Sequence, residues 1–346
     1  MGRIQIPEGP SKARDDYILS AVREGRAEFR FVPVVYLVNG TQVELEVFED
    51  ALKVDGVRVN VSAALQQQIA DLLGCSLLTP MIADILWAQR VWTCSPKISK
   101  PNADMASTLR MIQHSQQIDQ DLALQGYSGM GLVQTSGKHW ILGTTITSNR
   151  ARNYGWHIRS SSLAYAPATS WTGPETRVWQ PPGLAHDPYH VDYSQVAVLV
   201  RRRVLVDGVE HDLSKMILDM NLRVFVSTEP NVSPRQPGVP QQPPLPGYEI
   251  DRVFVTRAPP TWPKHLSETP SPPSERTAEF VDDPPPPITL DAPPSALSSP
   301  KDASTSVLPS APRPSPTLLT PLRPLTLIFL FLATFLGALL QKSGCS

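Results

Sequence analysis

Residues 28–60 alternate apolar and polar positions with the period of a half-buried strand. Phe29 and Phe31 flank Arg30, an apolar run at 34–38 follows Pro33, and Val43, Leu45 and Val47 alternate with polar neighbours. Pro33 has no N–H to donate, so it belongs at a sheet edge or a break. Leu52-Lys53-Val54 and Val57-Arg58-Val59 stand either side of Asp55-Gly56, and Asn39-Gly40 separates the earlier runs. Both dipeptides tolerate the left-handed backbone of a type I′ turn, so the stretch predicts a small antiparallel meander.

The period then changes to that of a helix. Ser62 can cap a helix that runs to Leu73, with Ala64, Leu65, Ile69, Leu72 and Leu73 on one face and Gly74 as its stop. Thr79-Pro80 restarts a helix with Ile82, Ile85, Leu86 and Trp87 as its apolar stripe. Residues 104–125 are helical but rich in glutamine, with Met105, Leu109, Ile112, Ile118 and Leu122 on the inner face of a surface helix. Strand patterns return at 139–147, 153–158 and 191–206, the last closing through Asp207-Gly208 into Val209. A short helix at 213–220 and a strand at 222–226 complete the series. Strands, then helices, then strands predict an α+β domain over residues 15–230, with a mostly antiparallel sheet and a packed helical pair.

Beyond residue 230 the periodicity is lost. Most of the chain's 37 prolines lie there, and such a composition buries too little apolar surface to offset its ordering entropy. Residues 231–324 are therefore expected to be a disordered Pro-rich linker, with 248–255 as one stretch able to dock as a stray strand. Residues 1–14 are also expected to be disordered. Residues 325–341 are apolar and uncharged, which predicts a single transmembrane helix and the lipid bilayer as a partner. Its large apolar residues favour insertion by about 5 kcal/mol before smaller and polar ones are counted. Arg323 and Lys342 flank it evenly, so charge sets no orientation. With no apolar leader near Met1, a C-terminal tail anchor is the simplest topology.

Charge and cysteine content narrow the function. A net charge of -1 provides no electrostatic footprint for nucleic acid. The 3 cysteines make no disulfide framework: Cys75 and Cys94 read as buried thiols, and Cys345 lies beside the apolar run, where a thiol can be acylated. Cys75 invites comparison with thiol hydrolases, but the following helix cap falls at Thr79, too late to lower its pKa. Gly129-Met130-Gly131 lacks the third glycine and the flanking elements of a phosphate-binding loop.

The candidate chemistry lies in residues 153–195. Tyr154-Gly155-Trp156-His157 places an imidazole beside an indole able to exclude water, with a glycine that permits close backbone approach. His190, Asp192 and Ser194 alternate, so on one strand they share a face. An imidazole, a carboxylate and a hydroxyl so placed can act as base, orienting group and nucleophile, or ligate a metal. His186 and His190 have the spacing of a helical metal pair, but Pro188 between them forbids a regular helix. Asp187-Pro188 reads as turn chemistry. The expected catalytic set is His157, His190, Asp192 and Ser194, with His157 and Asp192 brought together beneath Trp156. No cofactor is specified, and whether a metal binds is left open.

Residues 59–62 (Val-Asn-Val-Ser), 68–75, 78–80, Tyr154-Gly155-Trp156-His157 and Val191-Asp192-Tyr193-Ser194 are together similar to a family of bacterial proteins of unassigned function. The resemblance covers roughly residues 15–226. In that family a His-Gly pair commonly follows the serine, whereas this chain has Gln195-Val196. If that histidine is catalytic, the resemblance implies an impaired member. Two functions are expected with equal weight: a membrane-tethered hydrolase-like domain acting on a cell-envelope polymer, and a non-catalytic, membrane-anchored binding or adaptor protein.

Overall fold

The structure is a computed structural model, and it describes residues 4–162, 165–168 and 172–249. All of these fall within one unit, Met1–Thr269. In chain order the elements are α1 (Lys12–Arg23), β1 (Phe31–Val38), β2 (Thr41–Phe48), β3 (Lys53–Val54), β4 (Val57–Arg58), α2 (Ala63–Leu72), β5 (Cys75–Ser76), α3 (Pro80–Ala88), β6 (Trp92–Thr93) and α4 (Thr108–Leu124). They continue with β7 (Val133–Gln134), β8 (Lys138–Ile141), β9 (Ala151–Arg159), β10 (Ala166–Pro167), β11 (Thr176–His186), β12 (Val200–Val206), β13 (Val209–Asp212), α5 (Leu213–Leu218) and α6 (Met220–Arg223). The class is α+β with mostly antiparallel sheets.

Two larger sheets carry the fold. One runs β1-β2-β12-β13 with β5 added on β12, and the other runs β10-β11-β9-β8. The hairpin turns fall where the dipeptides place them: Asn39-Gly40, Asp55-Gly56 and Asp207-Gly208 all have positive φ at both residues. Helix α2 starts at Ser62, whose hydroxyl accepts from the Leu65 N–H, and α3 starts at Thr79, which accepts from Ile82. Leu78 bridges Ile141, joining the stretch before α3 to the second sheet. The core fills the space between, with Val34, Val43, Leu45, Phe48, Leu52, Ile69, Ile82 and Trp140 at 1 % exposure or less. Each such side chain contributes roughly 1.5–3 kcal/mol by leaving water. The Trp140 indole N–H is satisfied by the Val61 carbonyl at 2.8 Å.

Several elements depart from the sequence pattern. The N-terminal residues are packed: Ile6 is buried, the Gln5 N–H donates to Asp55, and Glu8 accepts from the Thr108 N–H at the start of α4. Helix α1, which the pattern left unassigned, begins at the Ser11 cap. β11, which the pattern also left unassigned, carries Pro181-Pro182 and absorbs them by shifting register on β9 between Gln180 and Gly183. The strand expected at 191–206 is confined to Val200–Val206, and residues 191–199 are buried extended chain and turn, held by the bridges Asn60–Val196 and Lys138–Gln195. The strand expected at 222–226 is instead helix and turn, capped by Asp219.

Residues 231–249, assigned by composition to the linker, lie against the domain as a strap. Val232 and Val239 are buried, Arg235 pairs with Asp71 at 2.9 Å, the Gln236 N–H reaches Gln67, and the Leu245 N–H reaches the Leu72 carbonyl. A few apolar anchors and backbone hydrogen bonds thus order a segment whose average composition argues for disorder. The remaining linker and the helix expected at 325–341 lie outside the described residues. Among the described residues, no helix is long and apolar enough to cross a membrane.

Candidate functional site

Strand β9 decides what faces what. Gly155 has φ +142° and Trp156 φ +54°, so the regular alternation of a strand fails there. Tyr154 and His157, which would otherwise point to opposite faces, both reach the same carboxylate. Asp84 Oδ1 accepts the Tyr154 hydroxyl at 2.6 Å and lies 2.6 Å from His157 Nε2. Asp84 comes from α3, and one turn on, Trp87 stacks on the His157 ring with centroids 5.7 Å apart. Asp84 has no exposure and the His157 side chain 3 %. His139 is buried on this side, its pKa pushed down to about 4 by burial and then by His157. The Arg90 guanidinium stands 3.7 Å from the centroid of the Trp87 ring, and burial followed by repulsion from Arg159 pushes its pKa down to about 10.

The other face is organised by Asp192. Neighbours on a strand project oppositely, so Lys138 turns away from His139 and its Nζ meets Asp192 Oδ2 at 2.8 Å. Asp192 Oδ1 accepts both the Ser194 N–H at 2.8 Å and the Ser194 hydroxyl at 2.6 Å. The Asn60 amide donates to the Asp192 carbonyl, and the Gln195 side-chain oxygen accepts from the Asp192 N–H. Burial would raise the Asp192 pKa; the Lys138 charge and the hydrogen bonds from Lys138 and Ser194 outweigh it and hold the carboxyl below its ordinary value. Trp156 stands over Lys138, 5.3 Å from ring centroid to Nζ, and Tyr193 and His114 pack alongside with centroids 5.2 Å apart. Burial pushes the His114 pKa down to about 3.

At the rim, His186 and His190 stack with centroids 3.8 Å apart and planes 7° from parallel. Burial lowers both pKa values, and Lys138 lowers them further. Asp187 behaves as expected of a turn residue, its carboxylate accepting from the Tyr189 N–H at 2.7 Å. Parallel stacked rings cannot both aim a nitrogen in-plane at one ion, so this pair is not a bidentate metal site. Among the described residues, no group of three or more His, Cys, Asp or Glu is placed to hold a metal.

Of the four residues expected to act together, the structure joins Asp192 to Ser194 and places His190 at their edge. His157 is on the other face. The indole over its ring is Trp87, while Trp156 covers Lys138. The Ser194 hydroxyl donates to a carboxylate and not to an imidazole. Sequence reasoning missed Asp84 and Lys138. Asp84 had a signal, as the sole charged residue in the apolar run of α3; Lys138 had none, because a lysine beside a strand normally faces solvent. Cys75 is a buried structural thiol, donating to the Leu73 carbonyl at 3.2 Å, with its pKa raised by burial. Compared with known proteins, the chain matches no family model, no curated protein and no solved structure.

Proposed function

We propose that the domain is a non-catalytic binding module, tethered to a membrane through residues 325–341, with a cell-envelope polymer as its ligand. The observation that carries this reading is the fate of Ser194. Its hydroxyl donates to an Asp192 carboxylate that Lys138 already neutralises, and the hydrogen-bonded imidazole–carboxylate pair His157–Asp84 lies across the sheet. A serine so held has no imidazole hydrogen-bonded to its hydroxyl, the contact that activates such a nucleophile. The exposed Tyr189 and half-buried His186 and His190 beside this pair form the accessible part of the region.

A second reading, a hydrolase-like domain, is favoured by one contact: His157 Nε2 at 2.6 Å from Asp84 Oδ1 is the geometry of a carboxylate orienting an imidazole. The full chain in lipid nanodiscs, mixed with purified envelope sacculi, separates the two. The binding reading expects the chain to co-sediment with the sacculi while mass spectrometry finds no soluble fragments. Fragment release that Asp84→Asn abolishes would establish the hydrolase instead.

A further inference from the structure

We propose that the Lys138 amine and the Asp192 carboxyl condense to an isopeptide cross-link, making this pair a site of self-modification. The step is independent of whether the domain binds or hydrolyses a polymer, and it gives Trp156 and Ser194 a use that neither reading requires. Lys138 Nζ lies 2.8 Å from Asp192 Oδ2, and each side chain keeps only 10 % exposure. The Trp156 ring covers the amine, 5.3 Å from centroid to Nζ. The backbones that carry the two groups are locked together. The Lys138 N–H donates to the Ser194 carbonyl at 2.7 Å and the Val196 N–H to the Lys138 carbonyl at 3.0 Å, while the Asn60 and Gln195 side chains hold the Asp192 backbone. An amine and a carboxyl fixed in contact have the high effective concentration that a slow condensation needs. Shielding from bulk water disfavours the reverse hydrolysis.

The pair carries every atom the reaction requires. One Nζ proton passes to Oδ2, leaving a neutral amine and a neutral acid. The amine lone pair then adds to Cγ, and negative charge collects on Oδ1. Two donors already stand at that oxygen, the Ser194 N–H at 2.8 Å and the Ser194 hydroxyl at 2.6 Å, in the manner of an oxyanion hole. A second Nζ proton passes to Oδ2, the Cγ–Oδ2 bond breaks, and water leaves. The third proton stays on the amide nitrogen, so no oxidant, cofactor or external acid enters the balance. Product formation also discharges two buried ions, whose removal from water is costly. The ion pair is the starting state of this reaction, so the charges described above belong to the newly made chain. The bond would join positions 54 residues apart in a domain whose Cys75 and Cys94 are both free thiols.

The test is a peptide map of the full chain, purified in detergent, denatured and digested with trypsin, and repeated on stored protein until the linked fraction is constant. Mass spectrometry is expected to find a branched peptide joining the Lys138 and Asp192 segments, lighter than the two together by one water. Cleavage after Lys138 should be lost, because its amine is acylated. Lys138→Arg keeps a cation beside Asp192 but supplies a poor nucleophile, and should yield the two segments separately. A cyclic imide at Asp55-Gly56 or Asp207-Gly208 also loses one water, but within a single peptide and equally in Lys138→Arg. Cleavage after Lys138 in the wild-type chain, with Asp192 recovered in a linear peptide of unaltered mass, would overturn the proposal. A branched product that persists in Lys138→Arg would overturn it as well. The wild-type map decides by itself, so a misfolded variant does not weaken it.

Discussion

The two faces of the β8–β9 ribbon carry polar networks of different kinds. On the α3 side, a carboxylate with no exposure receives a phenol and an imidazole that are themselves buried, and Trp87 closes over them. On the Asp192 side, the charges also pair, but the side chains around them keep four polar atoms unmatched and the rim is half open. A polar network that closes on itself fixes one conformation; one that leaves capacity unused can take a partner. The α3 side is not perfectly closed, since His139 Nδ1 also lacks a partner. The contrast is nevertheless one of several orphans against a largely self-contained cluster.

Removing the carboxylate of the closed network should have the largest effect. Asp84→Ala removes the carboxylate that the buried His157 and Tyr154 share, and a loss of about 3–5 kcal/mol in urea unfolding is expected, the range for breaking a buried pair. Next comes Lys138→Met, which strips Asp192 of its counter-charge. Because that pair keeps some contact with solvent, the expected loss is smaller, about 2 kcal/mol. Adding Asp192→Leu should recover much of it, as a double-mutant cycle would record. If Asp84→Ala and Lys138→Met proved equally costly, the distinction between a closed and an open face would be lost.

Local signals made much of the fold legible. The three hairpin turns and the Ser62 and Thr79 caps depend on residues within a few positions of one another, and each falls where the pattern places it. The site was less legible because it depends on two backbone departures that no periodicity reports. At Gly155-Trp156 the twist moves His157 away from Trp156 and towards Asp84; at 191–195 a turn replaces the strand that would have aligned His190, Asp192 and Ser194. Proline-rich stretches were hard to read for a related physical reason. β11 accommodates its prolines through register shifts, and the strap at 231–249 is ordered by a few contacts that average composition hides. Gly155 is the position to probe. A Cβ there would meet the Lys138 Cα at 3.3 Å on a backbone that L residues rarely adopt. Gly155→Ala is expected to cost about 2 kcal/mol and to disturb both faces together, seen as shifts in the His157 and Lys138 resonances. Movement of one set alone would show that the two networks are not coupled through this residue.

The smallest effect per step is the pH dependence, and it too divides the faces. His114, His186 and His190 on the Asp192 side and His139 on the α3 side all have folded pKa values below the ordinary histidine range, with burial the leading cause. The unfolded chain therefore binds more protons than the folded one once the pH falls below about 6.5. Stability contributed by these groups is present above that pH and is lost as the pH falls towards the folded values. Each imidazole that titrates only in the unfolded state removes up to about 1.4 kcal/mol per pH unit. Asp192 has the other behaviour: its folded pKa lies below its ordinary value, so its contribution persists above pH ~4 and declines only below that. Urea midpoints measured from pH 7 to 4 should fall steadily, and more shallowly in His114→Phe, which removes one of the buried imidazoles. Because three of the four histidines lie on the Asp192 side, imidazole resonances followed over the same range should show the His186–His190 stack taking up protons before the deeply buried His139. Simultaneous titration on both faces would mean that acid unfolds the domain as one piece, and that the two networks do not differ in how readily solvent reaches them.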